Sequence, residues 1–517
     1  METDPRALAP TPPSTPGAAN LPGFLLALES LLKTKPSLWL VGGVYTLGGF
    51  TYFALLSVLA PFLSGCVFRG ASHAEGVSQF LLAGLTTGSL GVMVLLAFLI
   101  DLVGVRVSVI VAVGSQLLGF LLLAAGSTLF GPGTFGIAMT TVFALALIAL
   151  GSGLAHPAAQ LAARQFTSSP NASMSFALLY ALMNLGGFAA MLAPPGSTEA
   201  LAGEPPVRTF ALCAGVLLLA LVLAAFVAPG RYLSKPEATA PAAQPSRTGF
   251  PVTACCSLAL LLVFVGVLAP GPWHWLIVVP ILGVVAVIAL LPGTLRTSVV
   301  QAIQQHPLAD PRFALLVFAL MPVQTLFTYN WLVLPRYVMQ AYPENVSDLF
   351  EKAVNAESLA IVLLVVGLTA FTYKVKTIHV IIGGTLVMAL APFALLVTSP
   401  LHLAGYLVLT TIGEAIWSPR VLQYVSDIAP PERQALYQGA AQLPWYLTKT
   451  LVPVLYVSAA LSKYLPANGP SDPSTMWLLF GLLAMSAPVV LLLARRRLLP
   501  KPARGGDAGL APLGSTR

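Results

Sequence analysis

The sequence predicts an all-α polytopic membrane protein. Of its 517 residues, 57% are apolar and 9% are charged, whereas an ordinary soluble domain has roughly 25% charged residues. The apolar residues come in blocks of roughly 20, and a helix of that length crosses a hydrocarbon core about 30 Å thick. A water-soluble fold is therefore excluded.

The apolar segments number fourteen, and an even number puts both termini on the same side of the membrane. Lys and Arg concentrate in the connections on that side, as at Arg106, Arg164 and Arg231, whereas the opposite loops carry acids such as Glu344 and Asp348. Because basic loops stay in the cytoplasm, we expect both termini there, with the chain in the cell's inner (plasma) membrane. The predicted spans are 38–63, 76–100, 105–127, 135–163, 173–192, 209–227, 251–268, 273–291, 312–333, 358–373, 378–397, 403–428, 435–460 and 476–494.

Two polar connections divide the spans into groups. Residues 230–248 read GRYLSKPEATAPAAQPSRT, a Pro- and Ala-rich linker after the sixth span, and residues 296–311 form a second polar stretch after the eighth. The predicted organisation is two six-helix bundles with a two-helix insert between them. Its parts are a disordered tail over 1–36, a bundle over 37–229, the linker and insert over 230–310, a second bundle over 311–495, and a basic disordered tail over 496–517.

Composition and spacing exclude several functional classes. The four cysteines show no metal-ligand spacing, so no metal or other cofactor is expected. The basic residues are not interleaved with aromatics on one face, which argues against nucleic-acid binding. Neither a nucleophile motif nor GxxxxGK[ST] is present, so the chain is not expected to be an enzyme or to use ATP. The expected partners are the lipid bilayer and a small-molecule substrate.

The connection between the second and third spans is the short motif Asp101-Leu-Val-Gly104-Val-Arg106. Asp101 can interact with the N-terminal dipole of a neighbouring helix, Gly104 permits a tight reversal, and Arg106 can pair with an acid. The motif is similar to the gating loop between helices 2 and 3 of the major facilitator superfamily. A generic short loop with one acid and one base is the alternative interpretation.

A more specific pattern lies in the twelfth span, where residues 411–419 read TIGEAIWSP. It resembles the GELxxSP signature on helix 10 of proton-coupled oligopeptide transporters. ALGSGLAHP at 149–157 and YALMNLG at 180–186 resemble that family's helix-4 and helix-5 segments, and its bacterial members also carry a two-helix insert. The resemblance implies a major facilitator fold with fourteen helices, small peptides or peptide-like substrates, and inward proton symport.

The sequence departs from that family at its charged positions. On helix 1 the family carries ExxER, and the three charged positions are occupied here by Tyr45, Gly48 and Gly49. On helix 4 the family's Lys is replaced by His156. Recognition of a peptide carboxylate by an Arg/Lys pair therefore does not carry over to this chain.

Two ionisable residues lie at membrane depth in the C-terminal half. Glu414 is near the middle of its span and Lys449 is at a similar depth in the next, where an unpaired charge costs about 3 kcal/mol or more. If the two helices are neighbours, Glu414 and Lys449 can form a buried ion pair. Such a pair is either a permanent link between helices or one that substrate or a proton opens. The resemblance adds that Glu414 meets a substrate amine.

His156 and Glu414 are the candidate proton carriers. An imidazole exchanges protons between about pH 6 and 7, which would give transport that titrates there. The alternative for His156 is a half-buried ring bonded to a backbone carbonyl beside Pro157.

Other polar side chains at membrane depth are uncharged or near a helix end. Arg420 is expected to reach the membrane surface or to pair with Asp427, without contacting substrate. The uncharged residues can line a substrate cavity or serve interhelical packing. They are Asn184, Tyr52, Gln324 and Asn330.

The sequence thus predicts a monomeric secondary transporter that moves small peptides or peptide-like organic solutes by alternating access, with protons as the candidate coupling ion. Two alternatives remain open. The first is a facilitator or exporter of another organic solute, because the helix-1 charges are missing. The second is a non-transporting sensor or scaffold on the same fold.

Overall fold

The computed structural model describes residues 34–71, 73–167, 172–192, 204–228, 306–452, 458–466 and 471–498, with a few single positions besides. Within this part of the chain every regular element is a helix, and nine of the helices are long and apolar enough to cross a membrane. The predicted insert spans at 251–268 and 273–291, the linker before them and most of both tails lie outside the described residues.

Six long helices form the N-terminal half, in agreement with the first six predicted spans. Gly104 ends the second helix with a φ of 83°, a conformation that glycine adopts without strain, so the chain reverses there within one residue. These helices are α1 (Pro36–Phe62), α2 (Ala74–Val103), α3 (Val105–Leu129), α4 (Phe135–Gln165), α5 (Ala172–Leu192) and α6 (Val207–Ala225).

The C-terminal half repeats this arrangement. The Asp310 side chain accepts the backbone N–H of Arg312 at 2.9 Å and caps the first helix, whose first residue is Pro311. The helices are α7 (Pro311–Leu332), α8 (Glu344–Phe371), α9 (Thr377–Ala394), α10 (Pro400–Ile428), α11a (Gln434–Ala440), α11b (Leu443–Val452) and α12 (Pro473–Leu498), with short helices at Leu334–Ala341 and Ser458–Tyr464.

Two predicted spans differ from the observed helices. Helix α8 begins at Glu344 rather than at 358, because Val346, Phe350 and Val354 recur every four residues and pack on the C-terminal core. The span predicted at 435–460 is divided by a turn at Ala441 and Gln442 into α11a and α11b, and residues 453–457 lie outside the described part.

The helices pack around two separate apolar cores. One is built almost entirely from α1–α6 and the other from α7–α12. The halves meet where α5 packs on α8 and α10, and where α11a packs on α2 and α4. A small cluster of Ala177, Ile361, Val365 and Ala415 fills the first of these contacts. The contact between the two bundles is here called the seam. Polar side chains near the seam therefore lie between the bundles.

Candidate functional site

The bundles are joined by polar contacts at the end of the molecule where α1 begins and α12 ends, here called the terminal face. The Asp101 carboxylate at the end of α2 accepts the backbone N–H groups of Ala435 and Leu436, each at 2.8 Å. A carboxylate at this position is favoured by the helix dipole and by the unpaired amides of the first turn. The structure thus shows the expected interaction of Asp101 with a neighbouring helix N-terminus, and the neighbour is α11a.

A second contact crosses the seam at the same end. Arg164 Nη1 on α4 lies 3.9 Å from Asp427 Oδ1 on α10, and both side chains are partly exposed. Arg106 forms no ion pair with an acid of the described residues. It donates instead to the carbonyl oxygen of Ala225 at 2.9 Å, because the last carbonyls of α6 have no intrahelical donor. The terminal face is therefore closed in this structure.

Arg420 also differs from its predicted environment. Its side chain is only 2% exposed, and it neither reaches the surface nor pairs with Asp427. Nη2 donates to the carbonyl oxygen of Thr369 at 3.1 Å and lies 3.0 Å from the Thr372 hydroxyl. These bonds fasten α10 to α8 and assign Arg420 to helix packing.

Glu414 lies at the centre of the seam. Its side chain is 8% exposed, and its Oε1 accepts the hydroxyl of Tyr180 at 2.5 Å. Since Tyr180 is on α5 and Glu414 is on α10, this single bond connects the two bundles at membrane depth. Hydrogen bonds to a charged acceptor are the strong ones, so the contact favours the closed arrangement.

A second acid, Glu357, was missed because the predicted span began one residue later, which left it in a loop. In the structure it is inside α8, half-buried, and its Oε1 lies 3.1 Å from the Thr411 hydroxyl. Thr411 precedes Glu414 by one helical turn on α10, and the two carboxyl groups interact electrostatically. The four-residue apolar spacing before Glu357 was the available signal for the longer helix.

The predicted ion pair between Glu414 and Lys449 is not formed in this structure. Helix α11b packs on α7 and α2, whereas α10 packs on α8, α9 and α5, so the two charged residues are on helices with different neighbours. The Lys449 ammonium lies 4.9 Å from the centroid of the Trp445 ring. Within the described residues, no carboxylate lies within 4.0 Å of it.

His156 contacts the residue that replaces the first acid of the resembled helix-1 motif. The Tyr45 hydroxyl is hydrogen-bonded to Nδ1 of His156, and it also lies 3.2 Å from Met183 Sδ. Two positions that the resemblance makes charged are therefore occupied by an uncharged phenol and an imidazole that bond to each other. The predicted bond from His156 to a backbone carbonyl is not seen among the described contacts.

Close helix packing takes up the space beside Gly49, one of the other two helix-1 positions. A Cβ atom on Gly186 of α5 would lie 2.2 Å from the carbonyl oxygen of Thr46, and one on Gly49 would lie 3.1 Å from that of Met183. An arginine at Gly49 would force α1 and α5 apart. Gly48 differs, since a Cβ atom there would meet nothing within 4 Å.

The uncharged candidates lie in both bundles and mostly bond within them. Asn184 donates to the carbonyl oxygen of Tyr180 at 2.9 Å, and Tyr52 interacts with Ser89. Asn330 accepts the hydroxyl of Tyr406. Gln324 is 2% exposed, and its Oε1 has no partner among the described atoms. The structure therefore brings Glu414 and Tyr180 together across the seam and leaves these four residues within their own bundles.

The seam thus has two carboxyl groups that can bind a cation. Each is hydrogen-bonded to a hydroxyl group that the cation can displace. No group of three or more His, Cys, Asp or Glu side chains that could hold a metal ion occurs among the described residues.

The sequence matches the Major Facilitator Superfamily over residues 45–453, which is most of the chain. The chain belongs to the Major Facilitator Superfamily. Among curated proteins, no sequence matches that of this chain.

Solved structures of several transporters share the fold. The human organic anion transporter MFSD10 (TETRAN) superposes with a TM-score of 0.57 at 13% identity, covering 88% of this chain and 100% of that chain. FucP in the outward conformation gives 0.59 at 11% identity, covering 88% and 98%. An auto-inhibited peptide transporter of the POT family gives 0.54 at 16% identity, covering 91% and 98%. At these identities the likeness shows the fold alone.

Membership and fold settle the general class of the protein. The Major Facilitator Superfamily consists of membrane transporters rather than enzymes, so the predicted major facilitator fold is confirmed and the chain is an integral membrane protein. Secondary transport of a small molecule is the function class that follows. Members often use protons and usually work as monomers.

Proposed function

We propose that the chain is a secondary active transporter of small peptides or peptide-like organic solutes, and that Glu414 receives the ammonium group of the solute. The bond from Tyr180 to Glu414 carries this proposal, because it puts a buried acid between the two bundles. An ammonium group offers this acid a full opposite charge, whereas the Tyr180 hydroxyl offers one hydrogen bond. A bound amine therefore competes with the bond that joins the bundles.

Alternating access follows from that competition. The closed terminal face is fastened by Asp101 on α11a and by Arg164 on Asp427. Replacing Tyr180 by a solute at Glu414 removes a third connection, so the bundles can separate at the terminal face. On the charge distribution of the loops, this face is the cytoplasmic one. The solute would then be released to the cytoplasm.

Coupling to protons belongs to the same proposal, with Glu414 and His156 as the carriers. Both are within the membrane-spanning part, and neither has an ion-pair partner within 4.0 Å in the described residues. A proton on Glu414 neutralises it in the absence of a solute cation, and a proton on His156 would act through Tyr45.

Uptake of an amine-bearing dipeptide into proteoliposomes tests the proposal. Glu414→Gln keeps the size of the side chain and its ability to accept from Tyr180, but it removes the charge. We expect uptake to fall by about 100-fold or more. Glu344→Gln, an exposed acid at the start of α8, is the matched control and should transport normally. Normal uptake by Glu414→Gln would refute the role of Glu414.

A second arm of the same assay concerns protons. His156→Gln should abolish the pH dependence of uptake and leave counterflow exchange intact, because exchange requires the binding site but no net proton movement. Unchanged pH dependence would eliminate His156 as the carrier. Uptake that ignores a pH gradient in the unmodified protein would identify a facilitator, and binding without movement would identify a sensor or scaffold.

A further inference from the structure

Lys449 is a cation at membrane depth for which the described residues provide no acid within 4.0 Å. Its contact is with Trp445, one turn earlier on α11b, at 4.9 Å from the ring centroid. A lysine on a lipid-facing surface extends its amine toward the nearest membrane surface, and a structural lysine inside a bundle is paired. Lys449 does neither, because it folds back along its own helix over an aromatic ring.

The neighbours of Lys449 show which surface of α11b it occupies. Trp445 stacks on Phe327 of α7 with centroids 4.5 Å apart, so this side of α11b faces the C-terminal core. Tyr446 faces α2 of the other bundle, since a Cβ atom on Gly91 would lie 3.6 Å from its ring. At about 100° per residue, position 449 falls between positions 445 and 446 around the helix. Lys449 is therefore on the surface that meets the seam.

A continuous group of aromatic rings connects Lys449 to Glu414. Phe327 contacts Trp445 at 4.5 Å and Trp417 at 6.4 Å between ring centroids, and Trp417 follows Glu414 by one turn on α10. The ammonium thus lies over one ring of a buried aromatic cluster whose last ring is one turn from the carboxylate, and the two charged groups are not within 4.0 Å of each other. A cation and an acid on either side of apolar rings suit a molecule with two opposite charges. Its carboxylate would meet Lys449 and its ammonium group would meet Glu414.

We infer that Lys449 binds the carboxylate of the solute, so that Lys449 and Glu414 together select zwitterions. The inference rests on the proposed function, in which Glu414 takes the ammonium group. The carboxylate-binding charge would then be on α11b, a helix for which neither the resemblance nor the superfamily match assigns such a role. The alternative positions on α1 and α4 hold Gly49 and His156 here, and Gly49 has no room for a long side chain.

Three dipeptide probes separate the two charges. Dialanine carries both, dialanine amide carries only the ammonium group, and N-acetyl-dialanine carries only the carboxylate. Binding of each to the purified full chain is measured by isothermal titration calorimetry at pH 7. A charge-assisted contact is expected to make dialanine bind about 10- to 100-fold more tightly than its amide. Lys449→Gln should remove this preference, while affinity for the amide changes by less than about two-fold.

The controls separate this charge from others like it. Lys463→Gln changes an exposed lysine whose ammonium lies 5.0 Å from the Tyr464 ring, and it should keep the preference. Lys449→Arg retains the positive charge and should also prefer dialanine. Binding of the amide by Lys449→Gln shows that the variant is folded. If Lys449→Gln does not fold, Lys449→Met takes its place and should show the same loss of preference, and equal binding of dialanine and its amide by the unmodified protein overturns the inference without any variant.

The outcomes distinguish the two proposals. Equal binding of dialanine and its amide by the unmodified protein overturns the zwitterion inference and leaves Glu414 as an amine site. A preference for dialanine that survives Lys449→Gln assigns the carboxylate to another residue and also overturns the inference. Binding of none of the three probes refutes the proposed function itself, and the inference falls with it.

Discussion

The polar groups at the centre of the two bundles differ in charge. In the N-terminal bundle, Tyr45 bonds to His156, and the neighbouring helix-1 positions are glycines. In the C-terminal bundle, Glu357, Glu414 and Lys449 are all ionisable and none is paired with an opposite charge within 4.0 Å in the described residues. The ability to bind a charged solute is therefore concentrated in one half of the molecule.

The difference shows how the two halves can divide their work. Charges on one bundle can hold a solute throughout a conformational change, because they move with it as a rigid unit. The other bundle contributes a neutral donor, Tyr180, that can leave Glu414 without exposing a second charge. A neutral contact across the seam is less costly to break than an ion pair in the same place.

The largest effect is expected where the N-terminal bundle is packed most tightly. Gly186→Ala adds a methyl group that would lie 2.2 Å from the Thr46 carbonyl oxygen and 2.9 Å from the Phe50 nitrogen. Both neighbours are backbone atoms that cannot rotate away, so we expect a loss of stability of about 3 kcal/mol. The melting temperature of the purified protein measures this loss.

Gly48→Ala is the matched control for that change. A Cβ atom at Gly48 meets nothing within 4 Å, and alanine favours a helix over glycine by about 0.5 to 1 kcal/mol. The melting temperature should stay the same or rise slightly. Equal losses for Gly48→Ala and Gly186→Ala would show that the α1–α5 contact does not depend on Gly186.

An intermediate effect is expected from removing the tyrosine hydroxyl of the N-terminal bundle that crosses to the other bundle. Tyr180→Phe removes the bond to Glu414, and a hydrogen bond to a charged group is worth about 1.5 to 3 kcal/mol. The bundles should then separate more often at the terminal face. Spin labels at Val107 and Glu432, exposed positions on opposite bundles, would report a larger population of long distances.

Tyr45→Phe is the companion variant within one bundle. It removes the bond to His156, so it should lower stability by about 1 kcal/mol and leave the spin-label distances unchanged. Longer distances in Tyr45→Phe would mean that the neutral pair also controls the terminal face. The contrast between the two bundles would then have to be withdrawn.

The smallest effect is on the pH dependence of stability, and it comes from a histidine outside the membrane spans. This contribution has to be subtracted before any pH effect is assigned to either bundle. His306 accepts the N–H of Leu308 at 3.2 Å, and burial lowers the pKa of its imidazole from about 6.5 to about 4. The unfolded chain takes up this proton as the pH falls through about 6.5, whereas the folded protein stays neutral until about pH 4. Its stabilising contribution is complete above pH 6.5 and is lost on acidification.

Because His306 is only partly buried, the expected loss between pH 7 and pH 5 is about 1 kcal/mol. His306→Asn keeps a side-chain acceptor for the helical turn but removes the titrating group. Melting temperatures measured from pH 5 to 7 should therefore vary less in the variant than in the unmodified protein. Identical pH profiles would show that another group is responsible.

The membrane-spanning character and most helix positions follow from the amino-acid sequence alone. Apolar segments of about 20 residues cross the membrane as helices, because a helix satisfies its backbone groups internally. The predicted spans outside the insert, apart from 358–373 and 435–460, therefore coincide with single helices in the structure. Local motifs also predicted that Asp101 would interact with a helix N-terminus. These features depend on residues close together in the chain, which is why a one-dimensional pattern suffices for them.

The contacts between polar groups, in contrast, depend on how the helices pack. Tyr180 and Glu414 are 234 positions apart in the chain, and Glu357 reaches Thr411 from another helix. Glu414 and Lys449 are much closer in sequence, yet they do not pair, because α10 and α11b pack against different helices. Every helix buries some of its surface, and its apolar pattern does not specify against which neighbour. The partners of a buried charge depend on that choice, and it is made only when the bundles pack.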